Sequence, residues 1–151
     1  MKNRYAYGYL LVGLQFFLLF ALIFFSSLLP ALRSENLLPW IAVLSSIAVG
    51  FAAVFSNRPG NFNIHPSPKS GGSLVVHGVY RHIRHPMYTS ILIFGIACFF
   101  SKPSAIIFGL FSILLCVLFV KARLEEHWLC EKFPSYDAYM KTTGRFLPII
   151  F

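Results

Sequence analysis

Four long stretches without a charged side chain constrain this chain more than any other feature of its sequence. They cover residues 5–32, 36–57, 85–101 and 103–120, and most of their side chains are apolar. About 20 apolar residues suffice for a helix to cross the hydrocarbon core of a bilayer. With 57% hydrophobic and only 12% charged residues, the chain also has too little polar surface for a soluble domain. The sequence therefore predicts an all-α integral membrane protein with four transmembrane helices, of which the third is the shortest.

Positively charged residues indicate how these helices are oriented. Loops on the cytoplasmic side of a membrane carry an excess of Lys and Arg. With both termini in the cytoplasm, that side holds Lys2, Arg4, Arg58, Lys69, Arg81, Arg84, Lys121, Arg123, Lys132, Lys141 and Arg145. Only Arg33 and Lys102 then lie on the other side. This topology, together with contacts to anionic membrane lipids, accounts for the net charge of +8 without any binding to nucleic acid.

The chain divides into two parts by composition. Residues 1–57 are expected to form a two-helix transmembrane scaffold, with a tight turn at residues 33–35. Residues 58–151 are expected to form the catalytic region, with a cytoplasmic loop, a transmembrane hairpin at 86–120 and a C-terminal helical tail. The loop is rich in Pro, Gly, Asn and Ser, which excludes a regular helix there. Small size and the absence of a targeting segment favour a bacterial or archaeal inner membrane.

The titratable side chains are concentrated in the two segments that flank the predicted hairpin. No acidic residue lies between Glu35 and Glu125, and Glu126 follows directly. Residues 101–104 leave room only for a turn, so the third and fourth helices should be antiparallel neighbours. Tyr88 and Glu125 then lie close laterally, although Glu125 is farther from the turn by roughly 12 Å at a rise of about 1.5 Å per residue. This arrangement predicts a cytoplasmic pocket for a small polar cofactor.

Both halves of this pocket have an ordinary interpretation as well as a functional one. Residues 84–88 read Arg-His-Pro-Met-Tyr, which is common at a membrane boundary, but a helix N-terminus and a Tyr ring also suit a charged ligand. Glu125 and Glu126 could be a solvated helix end. Because adjacent helical residues point about 100° apart, one of the two acids could instead face a ligand and the other a structural partner. His77, His82 and His85 have no strong zinc-binding spacing, so no metal is predicted.

The ordered combination of these motifs resembles the superfamily of isoprenylcysteine carboxyl methyltransferases and phospholipid methyltransferases. The resemblance extends from about Asn57 to Ile150 and rests on Gly72-Ser73-Leu74-Val75, Gly78-Val79-Tyr80, Arg84-His85-Pro86-Met87-Tyr88, Glu125-Glu126, Phe133, Tyr136, Tyr139 and Arg145-Phe146-Leu147-Pro148. These proteins are integral membrane enzymes that depend on S-adenosylmethionine. The resemblance thus implies a cofactor, S-adenosyl-L-methionine, bound on the cytoplasmic side.

The resemblance also implies roles for individual residues. The cofactor-binding residues would be His65, Gly72, Ser73, Leu74, Val75, Tyr80, His85, Pro86, Met87, Tyr88, Glu125 and Glu126. Tyr88 and Glu125 are expected to act in catalysis as well. The position that the resemblance links to acceptor binding is Lys121, and Arg123 lies nearby, so both are expected to bind substrate.

The expected reaction is transfer of a methyl group from S-adenosylmethionine to a lipid-like or lipidated acceptor. Carboxyl O-methylation of an isoprenylcysteine type is favoured, because a carboxylate acceptor needs no general base. Three alternatives remain open: a phospholipid N-methyltransferase, an NADPH-dependent reductase of related fold, and a non-catalytic membrane scaffold.

Overall fold

The computed structural model describes residues 2–26, 36–57, 61, 65 and 71–148. Within them the helices are α1 (Lys2–Ser26), α2 (Leu37–Ser56), a 3-10 helix (Gly78–Arg81), α3 (Pro86–Ser101), α4 (Ala105–Lys132) and α5 (Tyr136–Met140). A single isolated bridge, parallel in direction, pairs Ile83 with Gly144 among these residues. The predicted all-α class is confirmed.

The helix boundaries follow local sequence signals. Asn36 caps α2, because its side-chain oxygen accepts a hydrogen bond from the backbone N–H of Leu38 at 3.1 Å. Ser104 caps α4 in the same way through Ile107 at 3.3 Å. Pro86 is the first residue of α3, where its missing N–H has no intrahelical partner to lose.

Three helices of the described part are long and apolar enough to cross a membrane. These spans are Ala6–Ser26, Leu37–Ser56 and Ala105–Lys132. The fourth predicted span is the apolar helix α3, which has only 16 residues. At a rise of about 1.5 Å per residue it extends roughly 24 Å, short of a hydrocarbon core of about 30 Å. Four transmembrane helices are therefore not confirmed, and the protein is an integral membrane protein with three candidate spans.

The helices pack through a core of Leu, Ala and Ile side chains. The fully buried members of this core include Leu22 on α1 and Leu114 and Leu118 on α4. At Gly95 the helix α3 approaches α4 so closely that an added Cβ would lie 2.6 Å from the ring of Phe111. Large side chains such as Phe20 remain exposed on the outer faces, as expected for contact with lipid.

Several predicted segments fall on residues whose structure is not described. The turn at residues 33–35 and the end of the tail at 149–151 lie outside the described residues. The predicted cytoplasmic loop is described only at residues 61 and 65 and from residue 71 onward. The predicted C-terminal helical tail contains α5 among its described residues. The division into a scaffold and a catalytic region stays a prediction.

Candidate functional site

One large cavity opens where α3 begins and α4 leaves the bundle. Its volume is about 560 Å³, which lies within the usual range for sites that bind small molecules. The predicted site residues that line it are His65, Gly72, Ser73, Leu74, Val75, Tyr80, His85, Pro86, Met87, Tyr88, Lys121 and Glu125. Of the predicted residues, Glu126 and Arg123 do not line it. The loop, the start of α3 and the end of α4 therefore share a single pocket.

Tyr88 and Glu125 meet inside this cavity. The Tyr88 hydroxyl donates a hydrogen bond to Glu125 Oε2 at 2.8 Å. The ring of His85 lies parallel to that of Tyr88, with 5.2 Å between centroids, and His85 Nδ1 is 3.5 Å from Glu125 Oε2. The Tyr88 hydroxyl on α3 and the neighbouring His85 imidazole thus fix the orientation of a carboxylate from α4. That carboxylate remains partly exposed, with 30% of its side chain accessible.

The loop side of the cavity is held by backbone and side-chain hydrogen bonds. The Asn61 side chain donates to the Ser73 carbonyl at 2.9 Å and accepts from the Ser73 N–H at 2.9 Å. Tyr80 contributes a phenol to the wall. Burial, and secondly the negative charge of Glu125, raise the pKa of Tyr80 to about 12, so this phenol stays protonated at neutral pH.

Glu126 points away from the cavity into a cluster of cations. Its Oε1 accepts a hydrogen bond from Arg84 Nε at 2.9 Å, and its Oε2 accepts one from Arg145 Nη2 at 2.7 Å. His85 Nε2 lies 3.3 Å from Oε1. Arg84 also donates to the carbonyl oxygens of Met140 and Thr143. The two adjacent acids therefore face different surroundings, one the cavity and the other a buried ion-pair network.

His65 reaches the cavity wall by packing between α1 and α4. Its ring lies 4.6 Å from that of Tyr9 and 6.0 Å from that of Trp128, nearly parallel to the latter. Gly8 makes this position possible, because an added Cβ there would overlap the imidazole of His65. A loop residue is thus fixed against two helices.

The two predicted substrate-binding residues differ in their surroundings. The Lys121 side chain is buried and lines the cavity, and its Nζ donates to Gln15 Oε1 at 2.8 Å. The same Nζ lies 5.1 Å from the centroid of the Tyr88 ring. Arg123 is exposed and lies outside the cavity lining.

Comparison with known proteins identifies a family for this chain. The model of the isoprenylcysteine carboxyl methyltransferase (ICMT) family matches residues 40–131, which is more than half of the 151-residue chain. The chain belongs to the ICMT family. No curated protein matches the chain. Family membership makes the protein a membrane methyltransferase, and the predicted superfamily is confirmed.

Several cavity residues of this ICMT family member were missed by sequence reasoning. On α1 these are Gln15, Phe16 and Leu19, which precede the part of the chain that matches the family. The signal for Gln15 was present, since a polar side chain within an uncharged apolar run is costly and usually functional. For the two apolar residues the sequence offered no signal that separates a cavity wall from a lipid-facing surface.

Proposed function

We propose that the protein transfers a methyl group from S-adenosylmethionine to a lipid-like acceptor, with carboxyl O-methylation of an isoprenylcysteine type as the reaction. The observation that carries this proposal is the 2.8 Å hydrogen bond between Tyr88 and Glu125 inside the cavity. It fixes a carboxylate at the cavity, and a carboxylate forms strong charge-assisted hydrogen bonds with a cationic ligand group.

The residues present fit this cofactor. The partly exposed Glu125 carboxylate would accept hydrogen bonds from ribose hydroxyls or from the ammonium group of the methionine part. Leu74 and Val75, which line the loop side, offer an apolar surface to the adenine ring. The volume of about 560 Å³ leaves room for both the cofactor and the reacting end of an acceptor.

The chain contributes mainly orientation and exclusion of water. When bound, S-adenosylmethionine supplies an electrophilic methyl group on a positively charged sulfur. Tyr88 holds the Glu125 carboxylate in place through its hydroxyl, and its ring lies parallel to that of His85. The apolar lining lowers the local dielectric and keeps water from the reacting atoms. A carboxylate acceptor is already deprotonated at neutral pH, so no side chain has to act as a general base.

The proposed site opens on the cytoplasmic side of the membrane. This orientation rests on the excess of Lys and Arg in the loops and termini on that side. An amphipathic acceptor would then enter from the inner leaflet, between helices whose outer faces are apolar.

Cofactor binding to the purified protein tests this proposal directly. We expect tritiated S-adenosylmethionine to bind the wild-type protein, and Glu125→Gln combined with Tyr88→Phe to weaken binding by about tenfold or more through loss of a charged hydrogen bond. Glu131→Gln is the matched control, because Glu131 is also acidic and on α4 but exposed, with 53% of its side chain accessible. Unchanged binding by the double variant would contradict the proposed site.

The same preparation distinguishes the alternatives. NADPH binding without S-adenosylmethionine binding would favour a reductase. Binding of neither cofactor, with stoichiometric copurification of another membrane protein, would favour a scaffold. Transferred label that mild base releases as methanol indicates a methyl ester, whereas retained label on a lipid amine indicates N-methylation.

A further inference from the structure

The cavity contains a polar pair that the proposed cofactor site does not use. Lys121 on α4 has 1% of its surface exposed, and Gln15 on α1 has 5%. Their hydrogen bond joins two helices that are both candidate membrane spans. Burying an ammonium and an amide between such helices is costly, so the pair needs a compensating role.

The ammonium of Lys121 has more hydrogen-bond donors than its contacts in the described residues use. It carries three N–H donors, and among the described residues one of them bonds to Gln15 while the face of Tyr88 contacts the group. No carboxylate of the described residues forms an ion pair with Nζ. Glu125, which lines the same cavity, instead accepts a hydrogen bond from the hydroxyl of Tyr88. Because Lys121 lines the cavity, an anion bound there can reach this cation.

The two charges of the cavity are separated along α4. Lys121 and Glu125 are four residues apart, about one helical turn or roughly 6 Å of rise. Lys121 is the deeper of the two, since it lies nearer the turn between α3 and α4. Phe16, Leu19 and Ile91 line the same cavity and are apolar, and Phe16 is 53% exposed on the outside of α1. A hydrocarbon chain could pass along these side chains to the lipid.

We infer that Gln15 is a positioning residue that directs the Lys121 ammonium at the anionic head of the acceptor. The inference rests on the proposed function and extends it. Glu125 takes the cationic cofactor, Lys121 takes the anionic acceptor head, and the acceptor's hydrocarbon chain leaves past Phe16 and Leu19. The amide oxygen of Gln15 suits this task because it orients the ammonium without neutralising its charge. Residues of α1 thus contribute to the specificity for an anionic amphiphile.

The experiment compares two probes of nearly the same size, of which one is anionic and the other neutral. One is an S-farnesylated N-acetylcysteine with a free carboxylate, and the other is its carboxamide. Wild-type protein should bind the carboxylate more tightly in a competition assay. Gln15→Leu should raise KM for the carboxylate by about tenfold with little change in kcat, because a hydrogen bond that orients a charged group is lost. Affinity for S-adenosylmethionine should stay within about twofold of wild type, since among the described residues Gln15 bonds to Lys121 and forms no hydrogen bond with Glu125 or Tyr88.

Two further variants separate positioning from a merely structural role. Gln15→Glu keeps the size of the side chain but neutralises Lys121, so it should abolish the preference for carboxylate over carboxamide. Gly13→Leu is the control, since it adds a leucine to α1 where an added Cβ meets no atom within 4 Å. It should behave as wild type.

The outcomes distinguish this inference from the proposed function. Failure of the wild-type protein to bind S-adenosylmethionine would overturn the proposed function. If the wild-type protein binds the cofactor but does not prefer the carboxylate, or if Gln15→Glu keeps that preference, only the inference about Gln15 and Lys121 is overturned.

Discussion

Arg84 and Glu126 form a buried ion pair that joins the start of α3 to the last third of α4. Arg84 Nε lies 2.9 Å from Glu126 Oε1, and only 4% and 7% of the two side chains are exposed. Arg145 from the C-terminal segment completes the pair from the other side of the carboxylate. The network therefore joins three parts of the chain at the edge of the cavity, which Arg84 itself lines, and it supports the neighbouring Glu125 through the same turn of helix.

Removal of the Glu126 charge should destabilise the fold strongly. Glu126→Gln leaves the buried guanidinium of Arg84 without its counter-charge, and breaking a buried pair from one side typically costs about 3–5 kcal/mol. The free energy of unfolding in mixed detergent micelles measures this loss.

The control for Glu126→Gln is again Glu131→Gln. The Glu131 and His127 side chains lie 3.1 Å apart but are 53% and 57% exposed, and exposed pairs contribute about 0–1 kcal/mol. Equal unfolding free energies for the two variants would show that the Arg84 network does not stabilise the fold.

Stability should also depend on the protonation of His85. Burial lowers the pKa of this imidazole, but hydrogen bonds and charge from Glu125 and Glu126 outweigh burial, so its pKa lies above the ordinary value of 6.5. A raised pKa means that the folded state binds the proton more tightly than the unfolded state. The stabilisation that protonated His85 gives to the fold is therefore complete below pH 6.5. It is lost as pH rises through the raised pKa of His85 in the folded state.

The test of His85 compares unfolding free energy against pH in wild type and His85→Gln. The difference between the two should fall as pH rises above 6.5, and NMR of labelled imidazoles should show late titration of one histidine. A difference that grows with pH in this window would contradict the assigned direction.

Gly8→Ala should disturb the cavity from a distance. The new methyl group would overlap the His65 imidazole and displace it from between Tyr9 and Trp128. We expect altered Trp128 fluorescence in a Trp40→Phe background, and weaker binding of S-adenosylmethionine by roughly threefold to tenfold, as for loss of packing worth about 1 kcal/mol. Gly13→Ala is the matched control, because it makes the same change on α1 in open space. Normal binding by Gly8→Ala would show that His65 is not needed at the wall.

Much of this site could be predicted from sequence because its polar residues are concentrated in an apolar chain. The hairpin between α3 and α4 brought Tyr88 and Glu125 to the same side, although counting helical rise left them roughly 12 Å apart along the axis. The long side chains of Tyr88 and Glu125 span this offset and form a hydrogen bond, which the helical rise per residue could not predict. The separate surroundings of Glu125 and Glu126 depend on where Arg84 and Arg145 lie in three dimensions, which no spacing encodes. The short length of α3 likewise left the number of spanning helices open.

The C-terminal segment should be required for an ordered cavity. Phe146 packs against the rings of His85 and Tyr88, at 6.2 and 6.5 Å between centroids, and its carbonyl accepts a hydrogen bond from Thr89 at 2.7 Å. Because the ring is half-buried, Phe146→Ala should cost about 2 kcal/mol, below the 3–5 kcal/mol typical of a fully buried Phe. Loss of the packing against Tyr88 should also weaken cofactor binding. Leu147→Ala, at a neighbouring residue that is 55% exposed, should change stability by less than about 0.5 kcal/mol. If both variants unfold and bind alike, then Phe146 does not support the pair of Tyr88 and Glu125, and that pair is held by α3 and α4 alone.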